Sequence, residues 1–253
     1  AAYRGAEFVV DLGPVMKRRI EAKGVPAEGL ETVPVWNDAE RVRPVPREEN
    51  PLVEEFGVDG RFVVMYSGNA GLGHRFREVL GAMDRLAGHP EVFFLFVGDG
   101  PRREEIEAFA GRRGIENFAY RDYVPRERLA ESLSVADLHL ITLEPSMAGV
   151  AAPGKLYGIL AAGRPALMVG PGESEPGHVI AEHGVGEVVD PEAAEDGARE
   201  VADAILWAAE HPERCREVGR RARQVFEERY AAEVALEQWE ELLRRTVGSG
   251  DGP

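Results

Sequence analysis

Apolar and polar positions alternate along the chain with two periods that trade places regularly. EFVVDL (7–12) reads as a strand, and PVMKRRIEAKG (14–24) as a helix with Pro14 at its start and Gly24 at its end. LETVPVW (30–36) is a second short strand, and the charged, proline-bearing stretch 37–51 reads as a linker. Strand patterns then return at 61–67, 92–98, 117–123, 136–143, 164–170 and 186–190. Helical patterns fall between them at 74–88, 101–114, 127–136, 153–163 and 175–184. In the first of these, Phe76, Val79, Leu80, Met83 and Leu86 form one apolar face. VFFLFVG (92–98) is continuously apolar, as a strand covered on both faces should be. Three helical stretches follow 190, with Trp207 and Trp239 expected in the core, and GSGDGP (248–253) reads as a frayed tail.

Strands alternating with helices of this length predict βαβ units and a doubly wound parallel sheet of class α/β. In such sheets ligands sit beyond the carboxyl ends of the strands, where the strand order reverses. The glycine-rich stretches occur at predicted strand ends. GNAGLGH (68–74) is either a tight connection and nothing more, or a turn whose N–H groups and helix dipole face an anion. His74 and Arg75 lie within reach of such an anion. VGDGPRREEIE (97–107) has the same form, with Asp99 a candidate cap for the helix that Pro101 starts. In EPSMAGVAAPGKLYGILAAG (144–163), Pro153 suits a first helical turn and Lys155 follows it. A cation at a helix N-terminus is unfavourable unless an anion lies between it and the dipole.

Composition narrows these choices. The chain has 253 residues, 44% of them hydrophobic, enough for a sizeable core. Its 30 basic and 45 acidic side chains leave a net charge of −15, which argues against nucleic acid as a partner. A single cysteine, Cys215, excludes an internal disulfide. No apolar run reaches membrane-spanning length. The six histidines show no ligand-like spacing, so no metal is expected, and His139 reads as a core or rim residue. The glycine spacing G-x-x-G-x-G is not the dinucleotide fingerprint, which leaves NAD poorly supported.

Taken in order, YSGNAGLGH, FLFVGDGPRREEIE, YVPRERLAESLSVADLHLITL and PGKLYGILAAGRPAL resemble the donor-binding half of a GT-B glycosyltransferase of family 4. The branch most similar to them comprises bacterial polysaccharide and lipopolysaccharide sugar transferases. That resemblance implies two facing Rossmann-like domains. Residues 1–36 would end the N-terminal, acceptor-binding domain, 37–60 the interdomain linker, 61–229 the nucleotide-sugar domain and 230–253 a crossing helix and tail. The start AAYRGAEFVVDLG, without an initiating Met, fits a processed chain or a piece of a longer protein.

The resemblance further implies retaining transfer from a nucleoside-diphosphate sugar, with uridine diphosphate the expected carrier, to a glycan or lipid-linked acceptor. No cofactor or metal is implied. The expected setting is cytoplasmic, with peripheral contact of the full-length protein at the inner face of a membrane. Gly68, Asn69, Gly71, Gly73, His74 and Lys155 would bind the diphosphate and donor sugar. Asp99, Tyr123, Val124, Glu144, Gly154 and Tyr157 would serve the base, ribose or sugar, and the 144–154 loop would wrap the sugar. No catalytic residue is assigned. There are departures: Val150 and Gly158 stand where many members have two glutamates, Gly154 replaces a serine, and Asn69 an arginine. A non-catalytic nucleotide-sugar-binding module and a nucleotide-sugar epimerase of the same fold remain alternatives.

Overall fold

The central strands are buried along almost their whole length, and the alternating direction of their side chains builds two layers. A computed structural model describes residue 3 and residues 6–152 and 154–248. Pro153 and tail residues 249–253 lie outside the described residues. In chain order the elements are β1 (Val9–Asp11), α1 (Pro14–Glu21), β2 (Leu30–Thr32), α2 (Pro51–Glu55), β3 (Phe62–Ser67) and α3 (Arg77–Arg85). Then come β4 (Val92–Val97), α4 (Arg103–Arg113), β5 (Phe118–Arg121), α5 (Leu129–Ser134), β6 (Leu138–Thr142) and α6 (Lys155–Ala161). The chain continues through β7 (Ala166–Val169), α7 (Glu175–His183), β8 (Gly186–Val189), α8 (Gly197–Glu210), α9 (Pro212–Arg229) and α10 (Ala232–Gly248).

The main sheet is parallel, in the order β5-β4-β3-β6-β7-β8. Successive side chains of a strand point to opposite faces. Val64 and Tyr66 therefore join Phe94, Phe96, Leu138 and Leu140 under α3, α4 and α8. Val63 and Met65 turn the other way, to Phe93, Leu95 and the α2–α5 side. Ile141, Ala166 and Met168 pack against α6, α7 and α9 on that same side. The order reverses between β3 and β6, which places the crevice of a doubly wound sheet beyond their carboxyl ends.

The pair β1–β2 forms a separate two-stranded parallel sheet. Glu175 at the start of α7 joins this unit to the main domain by accepting the Met16 N–H at 2.7 Å. Asn37 is bridged to Ala231, and Arg245 of α10 reaches Glu31 at 2.8 Å. So the last helix packs back onto the first strands.

Three expectations need correction here. The helix expected from residue 74 begins at Arg77, because residues 68–76 are spent on a longer turn in which His74 N–H bonds Gly71 O at 3.1 Å. Asp99 caps no helix: α4 starts four residues later, after Arg102, with no side-chain cap. Trp207 is half exposed, stacked on His211 with ring centroids 4.5 Å apart. The buried face of α8 runs through Val201, Ala202, Ile205 and Ala208, and position 207 falls off it. Trp239 is only partly buried. His139 is fully buried, and its Nε2–H donates to Leu133 O at 2.9 Å.

Candidate functional site

The turn after β3 and the segment after β6 meet at the reversal point and enclose a cleft of about 500 Å³. Gly68, Asn69, Gly71, Gly73 and His74 form one wall. Met147, Ala151, Gly154 and Lys155 form the other.

Backbone packing fixes the first wall. Gly68 N–H bonds Val97 O at 2.9 Å, and Ala70 N–H bonds Asp99 O at 2.7 Å. The VGDG turn sits directly behind. A Cβ on Gly98, whose φ is +143°, would overlap the Gly68 carbonyl, and one on Gly100 would come within 2.7 Å of Ala70 N. Among the described residues, the N–H groups of Gly71, Leu72 and Gly73 have no hydrogen-bond acceptor. They are the donors that an anion would use.

Lys155 opens α6, with Gly154 preceding it. Part of its stem is exposed, but Nζ itself is buried, without a hydrogen-bond partner among the described residues. It lies 3.5 Å from the centroid of the Tyr66 ring. Burial holds its pKa well below the usual lysine value. The ring is one partial compensation; an arriving anion would be a far better one.

His74 donates Nδ1–H to Thr142 O at 2.7 Å, which leaves Nε2 as an acceptor in the neutral ring. Burial, then the charge of Lys155, pushes its pKa down to about 4. The imidazole is therefore neutral at pH 7. Glu144 is held beside this wall: its N–H bonds Gly73 O at 3.0 Å and its carboxylate lies 3.7 Å from Arg102.

The other expected residues stand apart. Asp99 is exposed and supports the turn through its carbonyl alone. Tyr123 is 57% exposed and does not line the cleft. Val124 packs its side chain into the α2–α5 core. Tyr157 is buried against Tyr230 with ring centroids 5.0 Å apart. Arg75 is not available to a ligand, because its guanidinium is forked onto Glu78 at 2.7 and 2.8 Å. Sequence reasoning missed Tyr66, which looks like any core residue of an apolar strand, and Thr142. It also missed Arg102, whose buried Nε has no acceptor among the described residues and whose charge acts on His74. Among the described residues no group of three His, Cys, Asp or Glu side chains is placed to hold a metal ion.

A parallel doubly wound sheet, with a cleft lined by the glycine turn and Lys155 at its reversal point, defines a Rossmann-like type of α/β protein. Residues 50–225 match the family described as Glycosyl transferases group 1, and the chain belongs to that family. WcaI of Escherichia coli K12, assigned as a colanic acid biosynthesis glycosyl transferase, is 29% identical over 195 residues, 76% of this chain and 47% of its own. WbjE of Pseudomonas aeruginosa, assigned as a glycosyltransferase, is 26% identical over 245 residues, 96% of this chain and 59% of its own. The chain thus spans about half the length of these curated relatives. Among solved structures, HepE of Anabaena in complex with UDP and glucose superposes with a TM-score of 0.79 at 19% identity, covering 96% of this chain and 64% of HepE. That likeness, of GT-B type, supports the fold. Among the described residues no helix is long and apolar enough to cross a membrane.

Proposed function

We propose that this chain is the donor-binding half of a retaining family 4 glycosyltransferase. In this reading it takes a UDP-linked sugar and passes it to a glycan or lipid-linked acceptor held by a facing N-terminal domain. The observation that carries it is the buried Nζ of Lys155, without a hydrogen-bond partner among the described residues, beside the turn of Gly68–His74. Departure of a nucleoside diphosphate develops negative charge on its phosphates. A lysine and fixed N–H dipoles aimed there stabilise that charge without a divalent ion. The neutral His74, with a free acceptor nitrogen, suits a sugar hydroxyl. The UDP complex of HepE supports the choice of base. So does the polysaccharide setting of WcaI for the acceptor class. The two facing domains would share catalysis, so the isolated chain binds donor weakly and transfers no sugar at a useful rate.

Calorimetric titration with UDP, without metal and with NAD as comparator, tests the reading. Binding of UDP but not NAD is the expected result. A folded chain that ignores UDP would overturn it.

A further inference from the structure

The end of the sheet opposite this cleft carries a second hollow that the donor reading leaves unused. Its volume is about 330 Å³. Its floor is backbone: Gly163, at φ +63° after α6, meets Gly219 of α9 so closely that a Cβ on Gly219 would overlap the Gly163 carbonyl. Pro44 of the linker closes one side, and the remaining lining consists of four arginines.

Two of the four are committed to the fold. Arg223 donates to Val42 O at 2.9 Å and Ala161 O at 2.7 Å, and pairs with Glu227. Arg164 donates to Ser134 O at 2.7 Å through one terminal nitrogen. Its Nε is buried and has no acceptor among the described residues, and burial pulls its pKa down. Arg216 and Arg220 hold no carbonyl and no ion pair among the described residues, although Asp137 lies near enough to feel Arg216. They are exposed, one turn apart on α9. Like charges at that spacing weaken a helix.

The nearby carboxylates are already engaged. Asp137 pairs with Arg47, Glu217 with Arg214 and Arg221, and Glu227 with Arg223. A chain of net charge −15 has therefore gathered four guanidinium groups around one hollow, and two of them, Arg216 and Arg220, have no ion pair among the described residues. An anion removes that repulsion, and guanidinium forks match phosphate oxygens in geometry.

We propose that Arg164, Arg216, Arg220 and Arg223 form a second anion site that takes a phosphate group, separate from the cleft at Lys155. A free phosphate and the phosphodiester of a lipid headgroup share this chemistry. The test separates them.

Amide resonances of Gly163, Arg164, Gly219 and Arg220 are followed as inorganic phosphate is added at constant ionic strength. Saturating shifts are expected there. The double variant Arg216→Gln, Arg220→Gln should weaken them at least about tenfold and leave shifts at Gly71–His74 unchanged. Because neither arginine holds the fold and the pair repel each other, the variant should unfold at the same urea midpoint or a slightly higher one. In a second arm the chain is sedimented with phosphatidylcholine vesicles with and without phosphatidylglycerol. Pelleting that needs both the anionic lipid and the two arginines assigns a headgroup. Saturation without pelleting assigns a free phosphate. The absence of both saturation at these four residues and arginine-dependent pelleting would overturn the proposal.

Discussion

The ammonium of Lys155 lies 3.5 Å from the centre of the Tyr66 ring, with no oxygen among the described residues to accept its protons. A ring face offers a buried cation far less than water does. The strongest remaining partner is a ligand anion. Lys155→Ala should therefore weaken UDP binding by about 1.5–3 kcal/mol, the range for a charged hydrogen bond, and leave the fold intact. Calorimetry reads the first effect and the urea midpoint the second. An unchanged affinity would remove Lys155 from the site.

Binding should also move a proton. Burial makes Lys155 give up its proton well below the usual lysine value. An anion restores the charge. At pH values between the lowered value and the ordinary one, near 10.4, UDP binding takes up a proton, and affinity falls as pH rises. Stability of the free chain runs the other way: the unfolded chain keeps the proton that the folded one has lost, so stability rises with pH across that window. Calorimetry in two buffers of different ionisation heat measures the uptake. Equal heats at about pH 9 would contradict it.

Gly98→Ala tests the support behind the turn. The new methyl group would collide with the Gly68 carbonyl at a φ of +143°. We expect a loss of about 3 kcal/mol, the upper part of the overpacking range, and weaker UDP binding from displacement of residues 68–70. Denaturant midpoints and calorimetry check both. Full stability in the variant would show that the two turns can separate freely.

Acid should unsettle the fold through His139. Burial pushes its pKa down to about 4, and burial does the same to His74. Unfolded histidine titrates near 6.5. Between about 6.5 and 4 the unfolded chain holds the extra proton, so stability falls as pH drops, by up to about 1.4 kcal/mol per unit for each histidine. Asp137 and Glu175, raised by burial, oppose this as they protonate in the folded state. His139→Leu should lower stability at pH 7, because Leu133 O loses its donor, yet flatten the acid limb. Urea midpoints at about pH 4.5 and 7 give the slope, and an unchanged slope would exclude His139.

How far the sequence could be read followed from what each signal measures. The run 92–97 is apolar on both faces and could only be a covered strand; its residues are buried throughout. Lys155 was legible because a cation at a helix start contradicts the dipole. Tyr66 was not, since in an apolar strand an aromatic ring looks the same whether it packs on leucine or on an ammonium. Phe76 lies in phase with the apolar face of α3, which drew the expected start back to His74. The fork of Arg75 onto Glu78 is an i,i+3 pair and could have been read from spacing alone. Tyr157 lies on a helix that is apolar nearly all round, so spacing could not say whether its ring meets the cleft or the core; it packs on Tyr230, far away in the chain.

The seating of residues 68–70 on Gly98 and Gly100 bears on what a ligand meets when it arrives. With Gly68 and Ala70 hydrogen-bonded and no room behind them, residues 68–70 are held in place by the fold itself. Little ordering entropy is left to lose there on association. The same rigidity means that a phosphate shifted by an ångström finds no accommodating wall. Preference among phosphorylated molecules then falls to the opposite bank, where Met147 and Ala151 present side chains instead of locked backbone.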